Sequence, residues 1–348
     1  MLKRLMLAVI LIMLLVFLQL KLELFTWGRS FILLVCLIIG LTLLFLCNEP
    51  TIIGFESLGI RLGLSEHMVG LVSSIASNLP EAVLAIFMVL SPHLKEIAIL
   101  TVMLASAFNG LLLGLLVILL TGRGQPIRIP KEALEYDVEV MRITIAFSLL
   151  IFGTGIILNV FKGIPRLARE MGFILLIAYL GYLYFISKRG RMVKHHEVKG
   201  YTWIAYLIVG LAGILASSHA ISSASEYMVH KLNLPLTIAS TIIAFAGSIP
   251  EHSIAVLGAW RGKVKMGVSN LVSGIVQSIM LIFPILAIIT PIYLDGYILY
   301  QFLAVAVTLW VTLKAIVDDG RLTLDEGILI FLIHLAGIIL FDELTIIV

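Results

Sequence analysis

The chain has 348 residues, 61% of them hydrophobic and 13% charged, with a mean hydropathy of +1.13. Soluble domains of this length do not carry so little charge, so a water-soluble globular fold is excluded. The net charge of +3 is small and the basic residues fall between apolar runs, which argues against nucleic acid as a partner and makes those residues topology signals.

Eleven apolar segments follow one another, near residues 5–24, 30–52, 68–90, 95–120, 140–160, 170–187, 202–222, 236–258, 266–291, 296–316 and 326–346. Each suits a helix that crosses a hydrocarbon core with roughly 20 residues. The first follows Met1-Leu2-Lys3-Arg4 and has the outline of a signal peptide. It runs on into Gln19, Lys21 and Glu23 without a small-residue cleavage site, so an uncleaved helix is expected. Cys36 and Cys47 share the second segment, and buried thiols are expected there rather than a disulfide. The polar loop Lys188–Gly200 separates the sixth segment from the seventh. The expected organisation is an extra N-terminal transmembrane helix over 1–28, a five-helix repeat over 29–187, a cytoplasmic basic linker over 188–200 and a second five-helix repeat over 201–348.

The third and eighth segments carry the strongest internal likeness. Asn78-Leu79-Pro80-Glu81 returns as Ser248-Ile249-Pro250-Glu251, 170 residues later. The same shift maps Glu56 onto Glu226, Leu62 onto Leu232, Leu64 onto Leu234, Ala76 onto Ala246 and Ala85 onto Ala255. Each half has an odd number of helices, so the second copy enters the membrane from the opposite side. The fold class expected is an all-α polytopic membrane protein, a ten-helix core of two inverted five-helix repeats plus one extra N-terminal helix. With the N-terminus in the cytoplasm, seventeen of the 24 lysines and arginines fall inside and seven outside. That orientation puts the C-terminus outside a cell membrane.

Acids at bilayer depth are costly and mark function. Glu81 and Glu251 each follow a proline, which withholds an N–H and releases carbonyls near Ala76 and Ser77 and near Ala246 and Gly247. Such backbone is tolerated in a membrane only where it is buried or lines a cavity. Carbonyls, the hydroxyls of Ser77 and Ser248 and two carboxylates make an oxygen shell of the kind hard cations take. The next helix of each half adds Ala105-Ser106-Ala107-Phe108-Asn109-Gly110 and Ser269-Asn270-Leu271-Val272-Ser273-Gly274. In this alignment Asn109 matches Ser273 and Ala105 matches Ser269. Gln277 lies one turn beyond Ser273 on the same face and compensates for it.

These residues resemble the cation/calcium antiporter superfamily and, within it, the sodium/calcium exchanger family. The resemblance rests on Ala76-Ser77-Asn78-Leu79-Pro80-Glu81 and Ala246-Gly247-Ser248-Ile249-Pro250-Glu251, which look like the family's repeated Gly-Thr-Ser-x-Pro-Glu motif. It extends to Gly54–Leu64 and Ala224–Leu234, which are similar to the family's segments between core helices. By this resemblance Glu81 and Glu251 are the central carboxylates, Ser77 stands for a ligating threonine, Asn109 for a polar ligand and Ser269 for a ligating serine. The resemblance implies Na⁺/Ca²⁺ exchange by alternating access, with Ca²⁺ and Na⁺ as cargo and no cofactor. Gly247, Ala105 and Ser273 depart from the family's pattern and thin the shell.

Two other readings stay open. A histidine beside Glu251, His252, and the thin shell fit coupling to H⁺, and a non-transporting ion-binding paralogue fits the same residues. An intramembrane enzyme does not fit: the chain has no aspartate dyad, His-Glu-x-x-His or Gly-x-Ser-x-Gly. Glu49 and His219 also stand 170 residues apart and are expected to line an access path, to pair across the symmetry axis or to sit plainly near helix ends. Glu56 and Glu226 are read as interfacial charges.

Overall fold

The structure, a computed structural model, describes residues 2–22, 28–64, 66–122, 126–128, 131–189, 200–260 and 264–345. The expected linker over 188–200 lies, from 190 to 199, outside the described residues. Among the described residues, every expected apolar segment is mainly helical. The helices are α1 (Leu2–Leu22), α2 (Arg29–Arg61), α3 (Glu66–Ser77), α4 (Leu79–Leu90), α5 (Lys95–Thr121), α6 (Lys131–Lys162) and α7 (Arg169–Arg189). The second half adds α8 (Thr202–Leu232), α9 (Leu236–Trp260), α10 (Val264–Gln277), α11 (Phe283–Ile289), α12 (Gly296–Asp318), α13 (Leu324–Ile339) and α14 (Phe341–Leu344). One two-residue strand pair, β1 (Ile127–Arg128) against β2 (Arg321–Leu322), is antiparallel. Among the described residues seven helices are long and apolar enough to cross a membrane, eight when the bent pair α3–α4 is one span.

Some boundaries differ from expectation. α2 passes through Pro50 and ends at Arg61, so most of Gly54–Leu64 is helix rather than a connection. In lipid an opened backbone costs more than a proline within a helix, and Thr51 Oγ1 donates back to the Cys47 carbonyl at 2.8 Å. α8 likewise runs on to Leu232, where Asn233 turns left-handed at φ 49° and its N–H closes on Met228. Asparagine tolerates that conformation better than other non-glycine residues. The last stretch of the ninth segment is not α-helical throughout: a π turn over Ser278–Ile282 joins α10 to α11. Pro284 follows it and withholds an N–H from the preceding turn, which the wider turn absorbs.

The chain forms two compact units, and each draws on both halves of the sequence. The first comprises Met1–Ala98 and Leu183–Pro250, the second Ile99–Tyr182 and Glu251–Val348. The boundary passes through α5, α7 and α9.

In the first unit α2 packs along α8. Between apolar helices in lipid there is little hydrophobic drive, so close approach at small residues decides where they touch. A Cβ on Gly54 would lie 2.9 Å from the Leu207 backbone, and one on Gly40 would lie 3.0 Å from Ile221. From the other side, a Cβ on Gly210 would lie 2.3 Å from Thr51 Oγ1. Gly40 and Gly210 are 170 residues apart, and so are their partners Thr51 and Ile221. The contact thus maps onto itself under the repeat, as a two-fold relation between the halves requires. Cys36 and Cys47 are buried free thiols.

α1 lies on both α2 and α8. Leu5, Ala8 and Leu15 are buried, while Met6, Ile10, Met13, Phe17 and Leu20 are exposed. The buried residues recur at three and seven positions, the stripe of a helix packed on one side. The exposed apolar side suits lipid.

In the second unit α12 packs on α6 and α13. Asp295 caps α12 by accepting from Ile298 N at 2.8 Å. α13 opens with a capping box between Thr323 and Glu326. α5 and α13 meet at glycines: a Cβ on Gly114 would lie 2.4 Å from Phe331 N, and one on Gly327 would lie 2.7 Å from Val117. Every residue of α5 from Ile99 to Gly110 is buried.

Candidate cation site

The first unit holds Ala76, Ser77, Glu81, Ala246 and Ser248, and the second holds Asn109, Glu251, Ser269, Ser273 and Gln277. The side chains of Ala246, Pro250 and Glu251 lie outside what the structure describes, although their backbone belongs to α9.

The first motif copy is a broken helix. α3 stops at Ser77 and α4 starts at Leu79, with a 46° bend between them. Three donors converge on the Ser74 carbonyl: Asn78 N at 3.4 Å, Asn78 Nδ2 at 3.2 Å and Ser77 Oγ at 2.8 Å. Ser77 thereby spends its proton locally and keeps oxygen lone pairs for another partner. Pro80 has no N–H to offer the Ala76 carbonyl. Ala76, Ser77 and Asn78 are all buried.

Glu81 follows in the first turn of α4 and is only 4% exposed. The positive end of the helix dipole favours negative charge at that position.

The second copy differs. α9 is unbroken from Leu236 to Trp260, and the expected second helix break at Pro250 is corrected. Ser248, which replaces Asn78, donates its Oγ to the Ala244 carbonyl at 2.6 Å, and Gly247, which replaces Ser77, has no side chain to add a second donor. Pro250 still denies an N–H to the Ala246 carbonyl. The two motif stretches approach one another in the first unit, since a Cβ on Gly247 would lie 3.6 Å from Leu84 Cδ2.

In the second unit Asn109 is wholly buried, and neither amide atom has a hydrogen-bond partner. Its amide lies on Gly274 of α10, where a Cβ would come within 2.7 Å of Nδ2. Glycine at 274 therefore makes the room that Asn109 fills. Gln277 Nε2 donates to Ser273 Oγ at 3.0 Å, one turn apart, as their spacing predicts. Both precede the π turn, a distortion often found at functional sites. Ser269 is half-buried on the same helix. His252 is buried, and its Nε2 has no hydrogen-bond partner.

Other polar residues find partners that the sequence did not suggest. Glu49 and His219 pair neither with each other nor across an axis; α1 takes both. Arg4 forms an ion pair with Glu49, and Gln19 Nε2 lies 2.9 Å from His219 Nδ1. Glu56 accepts from Ser73 Oγ at 2.6 Å and so ties α2 to α3. The repeat gives Glu226 no such tie, because the position matching Ser73 is Ile243. Buried Tyr297, Gln301, Thr308 and His334 in the second unit also escaped notice. Three of them share one side of α12, a spacing the sequence shows but no motif marks.

Residues 32–188 and 202–341 match the family model described as sodium/calcium exchanger protein. The inner membrane protein YrbG of Escherichia coli (strain K12) is 24% identical over 279 residues, 74% of this chain and 80% of YrbG. The crystal structure of the H⁺/Ca²⁺ exchanger CAX superposes with a TM-score of 0.70 at 14% identity, covering 98% of this chain and 95% of CAX. The sodium-calcium exchanger NCX_Mj gives 0.62 at 19% identity, covering 91% of this chain and all of the other. At these identities the structural likeness establishes the fold.

Proposed function

Because this chain belongs to the sodium/calcium exchanger protein family, we propose that it exchanges Ca²⁺ for Na⁺ across the cell membrane by alternating access. The observation that carries the reading is Glu81, a buried acid in the first turn of α4 just past a helix break. Glu81 and Glu251 supply two negative charges, enough to balance one Ca²⁺. Ser77, Ser248, Ser269, Ser273, Asn109 and Gln277 and the carbonyls of Ala76 and Ala246 are the neutral ligands. With both carboxylates charged and no cation bound, crossing an apolar gate is costly, and that cost enforces exchange over leak. The N-terminus lies in the cytoplasm and the C-terminus outside. The cations are cargo, and the chain needs no cofactor.

The test is Ca²⁺ flux into vesicles that hold the purified chain. The reading expects flux driven by a Na⁺ gradient at clamped pH. Flux that needs a pH gradient and ignores Na⁺ would overturn it in favour of proton coupling. That second reading is supported by buried His252 beside Glu251 and by the fold shared with an H⁺/Ca²⁺ exchanger.

A further inference from the structure

Asn48 of α2 is a buried polar group that the exchange reading does not use. It is 1% exposed, and neither Nδ2 nor Oδ1 has a hydrogen-bond partner among the described residues. An amide buried in that way is costly. Its chain neighbours are both engaged elsewhere. A Cβ on Gly213 of α8 would lie 2.2 Å from Cys47 Sγ, and Glu49 pairs with Arg4 of α1. Asn48 lies between those two directions, roughly 100° from each around α2. The repeat shift carries Asn48 onto Ser218 of α8. Ser218 is also fully buried, and its hydroxyl also lacks a partner among the described residues. Polar residues in membranes serve packing by bonding across helices. Among the described residues these two make no such bond.

The contacts of α2 with α3 fix what stands at the level of Asn48. The two helices run antiparallel from the turn at Gly63, which has φ 70°. A Cβ on Gly59 would lie 3.4 Å from Val69, and Ser73 Oγ donates to Glu56. Steps back along α2 therefore answer steps forward along α3. Carried on from Glu56 and Ser73 by eight residues in each direction, this register reaches Asn48 and Glu81. Asn48 also keeps the face of α2 that meets α3. It is eleven residues from Gly59, three turns to within roughly 20°. The α3–α4 bend falls after Ser77. Glu81 follows it within a few residues, so the bend shifts this level by less than one turn. The Ala76 carbonyl, which Pro80 leaves without an N–H, belongs to the same stretch. Ala76, Pro80 and Glu81 are all buried.

We propose that Asn48 is a further ligand of the cation site, its Oδ1 binding the cation that Glu81 holds. Amide carbonyl oxygens are ordinary ligands of hard cations, and they add no charge. α2 thereby brings an oxygen to a shell that Gly247 and Ala105 thin. A bound cation then joins α2 to α4, both of which belong to the first unit. The proposal rests on the reading of Glu81 as a cation-binding acid.

Ca²⁺ titration of the purified full chain, with the melting temperature measured alongside, tests it. Asn48→Leu keeps the branching of the side chain and removes its oxygen. It should bind Ca²⁺ about tenfold more weakly, as the loss of one ligand implies. It should melt no lower than the wild type, since no bond to the protein is lost. Asn48→Asp is nearly isosteric and adds a charge to the shell. Its Ca²⁺ affinity should rise about tenfold, because affinity follows the charge count of the ligands. An amide that serves packing alone predicts neither change. A leucine variant that binds Ca²⁺ as tightly as the wild type would overturn the proposal. Should that variant fail to fold, an aspartate variant with affinity no higher than the wild type's would overturn it equally. Glu81→Gln is titrated beside them. If it keeps wild-type binding, the reading of Glu81 fails and the proposal with it. If it loses Ca²⁺ while the Asn48 variants match the wild type, the role of Asn48 alone fails.

Discussion

The two copies of the repeated motif share Pro and Glu but do not fold alike. At Asn78 the helix breaks and bends by 46°, while at Ser248 it runs on through Pro250. Proline is present in both, so proline alone does not decide. The side-chain hydrogen bonds just before it differ between the copies. Asn78 Nδ2 and Ser77 Oγ both reach the Ser74 carbonyl, while in the second copy Ser248 Oγ reaches the carbonyl four residues back and Gly247 has no side chain. An inverted repeat fixes where the halves touch, as Gly40–Ile221 and Gly210–Thr51 show. It leaves each half free to shape the backbone of its own motif.

The largest effect expected from breaking this comparison is at the acid itself. Glu81→Gln should remove about 3–5 kcal/mol of cation binding, a hundredfold or more in affinity, because one buried charge then lacks its counterpart. Ca²⁺ titration of the purified variant checks this. Next is Gly274→Val, which places methyl groups where the Asn109 amide lies. Overpacking of this kind costs about 1–3 kcal/mol, and Ca²⁺ affinity should fall about tenfold, with a lowered melting temperature.

Asn78→Ser makes the first copy resemble the second. It exchanges the Asn78 Nδ2 bond to Ser74 for a hydroxyl bond of the Ser248 kind, a change within the roughly 0.5–1.5 kcal/mol of one hydrogen bond, and should change Ca²⁺ affinity by a few-fold at most. The smallest effect is at α1. Arg4→Gln breaks an exposed ion pair of a kind worth about 0–1 kcal/mol, and Gln19→Leu removes an interhelical bond that averages about 0.6 kcal/mol in membranes. Each should shift the melting temperature by no more than a few degrees.

Much of the fold was legible because apolar runs of spanning length need no tertiary information. Helix ends were less so. The second segment was expected to end near residue 52, but lipid penalises open backbone and α2 continues to Arg61, eleven residues beyond Pro50. The site was legible where chemistry is rare: an acid in an apolar run stands out, and Glu81 is as buried as expected. The continuity of α9 was hidden, because Pro250 repeats Pro80 and a proline in a span reads as a break in either copy. Gly274 was visible as a glycine, but its purpose appears only with Asn109 lying on it. His334 was hidden for the opposite reason: a single histidine in a span has no pattern until α12 supplies Thr308.

The central claim is that Glu81 and Glu251 act as a pair on one cation. Isothermal titration of Ca²⁺ into the wild-type chain and into Glu81→Gln and Glu251→Gln separately tests it most directly. The account predicts one Ca²⁺ per wild-type chain and a comparable loss of binding in both variants. Unchanged Ca²⁺ binding in either variant would contradict it.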